Sequence, residues 1–363
     1  MQLQLFKFIV FLSLLPIFTF AGINNEINGK HNKEKTIKKD FEVSSNATLK
    51  VDNSYGNINI TTYEGSTISI EVRIKTNGND LEDVQEKLND ITVDFSASSS
   101  QVSAKTIFSK NKSKSWWNWG KNNNVNMEIN YIIKMPITNN VYLDNDYGSI
   151  DLDKLLGRAE INCDYGKITT KELMADNNAI SFDYSNNSYF EYINSGSINA
   201  DYSSYTVGKT KNLIINADYT KSEIEVAENI KYVCDYGSMK INNANNVEGN
   251  GDYLTLRLGT IYNNVELNAD YGSIKIENMA ANAGNIDIKS NYNGITIGYN
   301  TGYNFNFDIN LEYAALRDAN DFEFTRKRIE STDKYYQGYH GNSTSGNSIR
   351  IRSEYGSVTF KKN

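Results

Sequence analysis

The chain has 363 residues, a formal net charge of −7, two histidines and two cysteines. The modest acidity disfavours a nucleic-acid partner, because a phosphate backbone selects for basic protein surfaces. With only His31 and His340 available, we expect neither a histidine-based catalytic triad nor a histidine metal site. Two prolines, 24 glycines and 25 tyrosines are typical of a chain with many short strands and tight turns.

Residues 1–21 have the pattern of a secretory signal peptide. Lys7 supplies the positive charge, residues 8–20 are apolar, and Ala21 is a small residue at the cleavage position. The apolar run is shorter than the roughly 20 residues of a membrane span. We therefore expect an exported chain (periplasmic, cell-surface or secreted) without a transmembrane span after cleavage. An uncleaved N-terminal anchor is the alternative.

Three segments precede the regular part of the sequence. Residues 22–45 are polar and lysine-rich, which predicts a flexible lead-in. Residues 46–140 are predicted to form an N-terminal cap with the first coil or coils of the fold. Within them a helix is predicted over 80–91, because Leu81, Val84, Leu88 and Ile91 form one apolar stripe after a capping Asn79 or Asp80.

A short segment, KNKSKSWWNWGK, contains all three tryptophans of the chain beside several lysines. Exposed tryptophan next to lysine suits contact with a cell-surface polysaccharide, an anionic lipid surface or an envelope protein. The alternative is a loop folded back over the end of the fold. The candidate ligand-binding residues are Trp116, Trp117, Trp119, Lys114 and Lys121.

Residues 141–363 carry a repeated Asp-Tyr-Gly-x-Ile motif whose tyrosines recur every 17–21 residues. Apolar residues alternate before each tyrosine, and the parity shifts at the glycine, which predicts a strand, a corner at the glycine and a second strand. Outlying copies of the motif contain Tyr55 and Tyr355. The repeated tyrosines are Tyr147, Tyr165, Tyr184, Tyr202, Tyr219, Tyr236, Tyr253, Tyr271 and Tyr292.

A unit of this length cannot bury its own apolar face and must stack on its neighbours. The sequence therefore predicts an all-β fold, a single-stranded parallel β-helix or β-solenoid with 17–21 residues per coil. A right-handed path is favoured by the usual crossover preference. A short N-terminal helix is expected to cap it, and a polar insertion is expected near 318–346.

The tyrosines and aspartates of the motif are predicted to form two ladders. The alternation groups the tyrosines with the buried residues, which favours a stacked structural ladder over an aromatic platform for sugars. Each aspartate is predicted to face outward and to accept backbone N–H bonds from its own corner, rather than to form a row of weak Ca²⁺ sites. No metal or cofactor is expected.

Cys163 and Cys234 occupy equivalent slots, two residues before a tyrosine and four coils apart. Four strand spacings amount to about 19 Å, well beyond the ~7 Å limit between the Cα atoms of a disulfide. Both are predicted to be buried free thiols.

An enzyme on such a scaffold requires acids clustered in a cleft, and no unique acid pair stands out from the repeating aspartates. We therefore expect no enzymatic activity. A polysaccharide-active enzyme and a partner protein in envelope signalling are the alternatives.

The repeated DYG motif, the opening NSYGNINI at 53–60 and the secretory start together resemble the bacterial putative-adhesin family of β-solenoid domains, related to the head domains of autotransporter-like adhesins. The resemblance covers about residues 45–363. It implies a β-helical envelope or secreted protein without established catalysis, and it supplies no catalytic residues.

Overall fold

The computed structural model describes residues 29–109 and 125–363. Within them the chain is all-β with a single helix, α1, at Leu81–Asp90. The predicted signal peptide, 1–21, lies outside the described residues. No helix in the described part of the chain is long and apolar enough to cross a membrane.

The strands fall into an N-terminal end, a middle region over 140–299 and a C-terminal end. The N-terminal end contains β1 His31–Glu42, β2 Thr48–Ser54, β3 Ile58–Tyr63, β4 Thr67–Gly78, β5 Ile91–Ala97, β6 Gln101–Phe108 and β7 Asn126–Pro136. The middle region contains β8 Asn140–Asp146, β9 Ile150–Leu152, β10 Ala159–Asp164, β11 Ile168–Leu173, β12 Asn178–Asp183, β13 Ser188–Asp201, β14 Ser204–Asn216, β15 Lys221–Val233, β16 Ser238–Asp252, β17 Thr255–Ile261, β18 Val265–Asp270, β19 Ser273–Met279, β20 Ile286–Asn291 and β21 Gly294–Tyr299. The C-terminal end contains β22 Phe305–Glu312, β23 Leu316–Arg317, β24 Glu323–Glu330, β25 Asp333–His340, β26 Ser348–Glu354 and β27 Val358–Lys362.

In the middle region the strands of successive repeats pair in parallel and in register. β13 pairs with β14 so that Ile198 lies opposite Ile215, and β14 pairs with β15 so that Val207 lies opposite Ile224. These residues are buried because alternate positions of each strand point into the interior. The register therefore stacks apolar residues of successive repeats into continuous interior rows.

At both ends antiparallel pairs join the parallel ones. At the N-terminal end β4 pairs antiparallel with β7 and with β1. At the C-terminal end β25 pairs antiparallel with β22 and with β24. The all-β prediction is confirmed, but the sheet as a whole is mixed rather than purely parallel.

The flexible lead-in predicted for 22–45 is wrong over the strand β1. Along β1 partly buried and exposed residues alternate without a break, and Ile37 and Phe41 pack on the core. The partly buried face of β1 includes lysines, so the alternation is not apparent from the sequence. A lysine can occupy such a position because its methylene stem packs on apolar surface while its charge stays in water. Lys35 does so, and its ammonium donates a hydrogen bond to the carbonyl of Leu88.

The helix α1 lies within the predicted range 80–91. The carboxylate of Asp80 caps it by accepting hydrogen bonds from the backbone N–H groups of Glu82 and Asp83. Val84 and Leu88 are buried, and the helix packs beside β1 and β4.

The predicted insertion near 318–346 contains the hairpin β24–β25, which is laid against β22. His340, at the end of β25, is buried, and its Nδ1 lies 2.9 Å from the carbonyl oxygen of Tyr303. After this hairpin, β26 pairs in parallel with both β20 and β22. The last repeat of the chain is thus inserted between two earlier ones.

Candidate functional site

Twelve motif tyrosines stack in one continuous series, here called the tyrosine row. Neighbouring ring centroids are 4.7–5.3 Å apart, and their planes differ by only 2–10°. The row therefore extends over about 50 Å at the strand spacing of a sheet. In spatial order it contains Tyr55, Tyr147, Tyr165, Tyr184, Tyr202, Tyr219, Tyr236, Tyr253, Tyr271, Tyr292, Tyr355 and Tyr313.

The rings stack on one another, but the prediction that they are buried is wrong. Eleven of the twelve tyrosines are 47–54% exposed, and Tyr55 is partly buried. The reason is the backbone: every tyrosine of the row has a positive φ, between 49° and 63°. The chain therefore turns its corner at the tyrosine, which breaks the alternation one residue before the glycine and leaves the ring outside.

The glycine after the tyrosine allows the backbones of successive repeats to approach closely, and it does not adopt a left-handed backbone. A Cβ on Gly148 would lie 1.9 Å from the carbonyl oxygen of Gly56, and one on Gly237 would lie 2.3 Å from that of Thr220. Neither glycine has a positive φ. The predicted corner at the glycine is thus displaced by one residue onto Tyr147 and its equivalents.

A left-handed backbone costs a residue other than glycine or asparagine roughly 1–2 kcal/mol. Stacking of aromatic rings offsets part of this cost, at about 0.5–1.5 kcal/mol per pair. Glycine or asparagine would fill the corner at lower cost. The presence of tyrosine at all twelve corners therefore points to a use of the ring itself.

The motif aspartates form a second series beside the tyrosines. From Asp164 to Asp270 each Oδ1 accepts a hydrogen bond of 2.7–3.2 Å from the backbone N–H of the equivalent residue one repeat further along. The aspartates thus accept backbone N–H bonds, but the donor belongs to the next repeat and not, as predicted, to the same corner. This aspartate row consists of Asp146, Asp164, Asp183, Asp201, Asp218, Asp235, Asp252 and Asp270.

The carboxylates of the aspartate row repel one another. Partial burial, together with the charges of Asp164 and Asp201, raises the pKa of Asp183 above its ordinary value. Partial burial and the charge of Asp164 likewise raise the pKa of Asp146. No ion pair within 29–109 and 125–363 involves a member of this row. The same ranges hold no group of three or more histidine, cysteine, aspartate or glutamate residues arranged to hold a metal ion.

A shallow groove is formed by residues of β14, β15, β16 and β18. An asparagine ladder lines it, in which the amide of Asn229 donates to Asn212 and the amide of Asn246 donates to Asn229, both at 2.8 Å. Ile214 and Lys231 lie beside the ladder. These amides bond to one another, so fewer of their donors and acceptors are free for a ligand.

The two cysteines are buried and free, as predicted. Burial, followed by the charges of nearby aspartates, raises the pKa of the Cys163 thiol to about 12. Burial likewise raises the pKa of the Cys234 thiol to about 12. Both thiols therefore stay protonated at neutral pH and are poor nucleophiles.

The other predicted site cannot be placed. Trp116, Trp117, Trp119, Lys114 and Lys121 lie outside the described residues. Their proposed role in ligand binding stays a prediction.

Sequence reasoning missed Tyr313, the last ring of the row. It follows Glu312 where the motif has aspartate, and it precedes Ala314 where the motif has glycine. The signal that could have found it is an acid–tyrosine–small-residue triplet directly after the alternating strand β22.

Comparisons with known proteins identify no family for the chain. No protein-family model matches it, and no curated protein matches it. Among solved structures, a putative cell adhesion protein from Clostridium sporogenes is 13% identical, with 91% of this chain and 100% of that chain covered and a TM-score of 0.18. A putative adhesin from Parabacteroides distasonis is 13% identical, with 72% and 92% covered and a TM-score of 0.30. A putative adhesin from Parabacteroides merdae is 12% identical, with 90% and 96% covered and a TM-score of 0.33. Similarities this low carry no argument about function.

Proposed function

We propose that this chain is an exported, adhesin-like or envelope-structural β-solenoid that presents a non-catalytic binding surface. The observation that carries the proposal is the tyrosine row, in which eleven of the twelve rings are exposed at corners with a left-handed backbone. An exposed aromatic stripe of this length is unusual for a protein without a partner. The in-register parallel pairing of the middle region supports the solenoid architecture.

The proposal assigns no catalytic role to the acids of the surface. The aspartates repeat in equivalent positions, and their Oδ1 atoms accept backbone N–H bonds from the next repeat. Catalysis by a carboxylate pair depends on two carboxyl groups in unlike environments. A row of equivalent, hydrogen-bonded aspartates instead suits recognition of a ligand that extends along the surface.

The proposal is tested by a binding screen of the mature protein against glycans and envelope fractions. Two variants separate the candidate surfaces: Trp116→Ala/Trp117→Ala/Trp119→Ala for the tryptophan segment, and Tyr219→Ala for the tyrosine row. We expect specific binding by the wild type that weakens in at least one variant. Turnover of a polysaccharide by the wild-type protein, or no binding in any fraction, would overturn the proposal.

A further inference from the structure

We propose that the tyrosine row binds elongated, planar, cationic aromatic molecules that lie along it across several repeats. This inference deepens the proposed function and rests on it, because it names the chemical class that the exposed row recognises. It follows from three properties of the row: which part of each ring is exposed, how regularly the rings repeat, and which charges flank them.

The exposed parts of the rings are their edges. Along the row each ring lies parallel to its neighbour at a centroid distance of about 5 Å, as between Tyr236 and Tyr253 at 4.8 Å, so the faces of inner rings are covered. At the N-terminal end Phe108 packs against Tyr55, with ring planes at 86°. A sugar stacks on an open aromatic face, and the inner rings offer none.

Ring edges favour an aromatic ligand. The edge of an aromatic ring carries partial positive charge and its face partial negative charge, so aromatic pairs favour edge-to-face geometry. A flat aromatic molecule lying over the row places its negative face on the positive edges of several tyrosines at once. The contact repeats without a break from Tyr147 to Tyr292, since successive centroids are 4.8–5.1 Å apart. Contact area thus grows with the length of the ligand along the row.

The flanking charge selects a cation. Each tyrosine from Tyr147 to Tyr271 directly follows an aspartate of the aspartate row. These carboxylates repel one another across the repeats, so a bound positive charge relieves repulsion as well as gaining attraction. An anion of the same shape would contact the same ring edges but would be repelled by the neighbouring carboxylates, so it should bind more weakly.

The residues that follow each tyrosine determine which stretch of the row is best suited to a cationic ligand. Two positions after Tyr165 and Tyr219 the chain has the exposed Lys167 and Lys221. Two positions after Tyr236, Tyr253 and Tyr271 it has the short side chains of Ser238, Thr255 and Ser273. In these three repeats a carboxylate therefore precedes the ring, and a short, uncharged side chain follows it two positions later. The outer two of these rings are two strand spacings, about 10 Å, apart, so a ligand about 15 Å long covers all three.

The experiment is a fluorescence and calorimetric titration of the full mature protein with thioflavin T, a planar aromatic cation. Tyr253→Ala interrupts the best stretch, and Tyr253→Phe keeps its ring. Tyr262→Ala is the matched control, because Tyr262 is 51% exposed but lies outside the row. We expect the wild type, Tyr253→Phe and Tyr262→Ala to bind alike and Tyr253→Ala to bind about tenfold more weakly. A circular dichroism melt establishes that each variant is folded.

A second variant pair tests the charge without touching the rings. Asp252→Asn/Asp270→Asn should weaken thioflavin T binding several-fold and flatten its salt dependence. Congo red, a planar aromatic anion, should bind the wild type more weakly than thioflavin T does. Absence of dye binding, equal loss in Tyr262→Ala and Tyr253→Ala, or stronger binding of the anion would overturn the inference.

If the dye binds as expected while the glycan and envelope screen is negative, the proposed function fails and this inference stands. If the protein binds an envelope fraction but not the dye, the proposed function stands and this inference fails.

Discussion

The middle region and the two ends of this chain are stabilised in different ways. In the middle region each repeat contacts the next through the same pairs of positions, with parallel register and stacked tyrosines. At the C-terminal end a hairpin pairs antiparallel with β22, and unlike aromatic rings pack around it. Phe305, for instance, lies 5.4 Å from Phe322 and 5.3 Å from the ring of His340.

The middle region and the ends place different requirements on the sequence. A repeat in the middle needs only to match its neighbour, so a short motif is sufficient. An end must stop the parallel ladder, because an uncovered end would expose apolar core and free strand edges. Antiparallel strands, a helix and a unique aromatic cluster serve that purpose, and none of them repeats.

The largest effect is expected from Phe305→Ala, which removes a fully buried ring from the C-terminal cluster. We expect the free energy of unfolding to fall by about 3–5 kcal/mol. Hydrogen exchange should show lost protection confined to β21–β27, because each repeat contacts only its neighbours. The control is Phe324→Ala at the same end, whose side chain is 39% exposed, and it should change little. Uniform loss of protection along the whole chain would contradict the separation of ends from middle.

In the middle region Gly237→Ala should cost about 1–3 kcal/mol. Its added Cβ would lie 2.3 Å from the carbonyl oxygen of Thr220, so the stacked backbones must move apart. Gly294→Ala is the matched control, because nothing lies within 4 Å of a Cβ at that position. Urea unfolding of the two variants measures the difference. Equal stability would mean that the close approach of repeats is not what the glycine provides.

The sequence predicted the features that local patterns encode. The spacing of the motif, the free buried thiol of Cys163 and the helix over Leu81–Asp90 all followed from local patterns. Two errors came from backbone and solvent effects that patterns do not carry. The left-handed φ at Tyr147 leaves its ring exposed, which the alternation did not predict. The lysines of β1 made that strand read as a polar lead-in, although their stems can cover apolar surface.

The ends were the harder part because their contacts join residues that are distant in sequence. β26 pairs with β20 across 63 residues, as between Ile288 and Ile351, which no local motif encodes. His340 lies in the predicted polar insertion near 318–346, yet it is buried against Phe305. Tyr313 lacks the aspartate and the glycine of the motif, so only its place after β22 marks it as a member of the row.

A smaller effect is expected on stability from Tyr219→Ala, in the centre of the tyrosine row. The change removes two stacked contacts at 4.9 Å and should cost about 1–2 kcal/mol. Tyr219→Phe keeps both contacts and should unfold like the wild type. Tyr219→Asn should fall between Ala and Phe, since asparagine tolerates the left-handed backbone better. If Tyr219→Asn proves more stable than the wild type, stacking does not compensate the strained corner.

The smallest effect is expected from Asp183→Asn, and it depends on pH. Because the pKa of Asp183 is raised in the folded chain, its contribution to stability is present below the ordinary value of 3.8 and is lost as pH rises through the folded value. The amide keeps an acceptor for the N–H of Asp201 but carries no charge. At pH 7 the variant should therefore be more stable than the wild type by a few tenths of a kcal/mol, after screening by solvent, and equal to it near pH 3.

The control for this titration has the opposite sign. Lys171 donates to the carboxylate of Asp153 and lowers its pKa, so that carboxylate contributes stability above 3.8 which is lost as pH falls through the folded value. Asp153→Asn should consequently be less stable than the wild type at pH 7 and should approach it in acid. Urea unfolding of both variants at pH 3 and pH 7 provides the measurement. Shifts of the same sign in the two variants would mean that the row of equivalent aspartates is not under electrostatic strain.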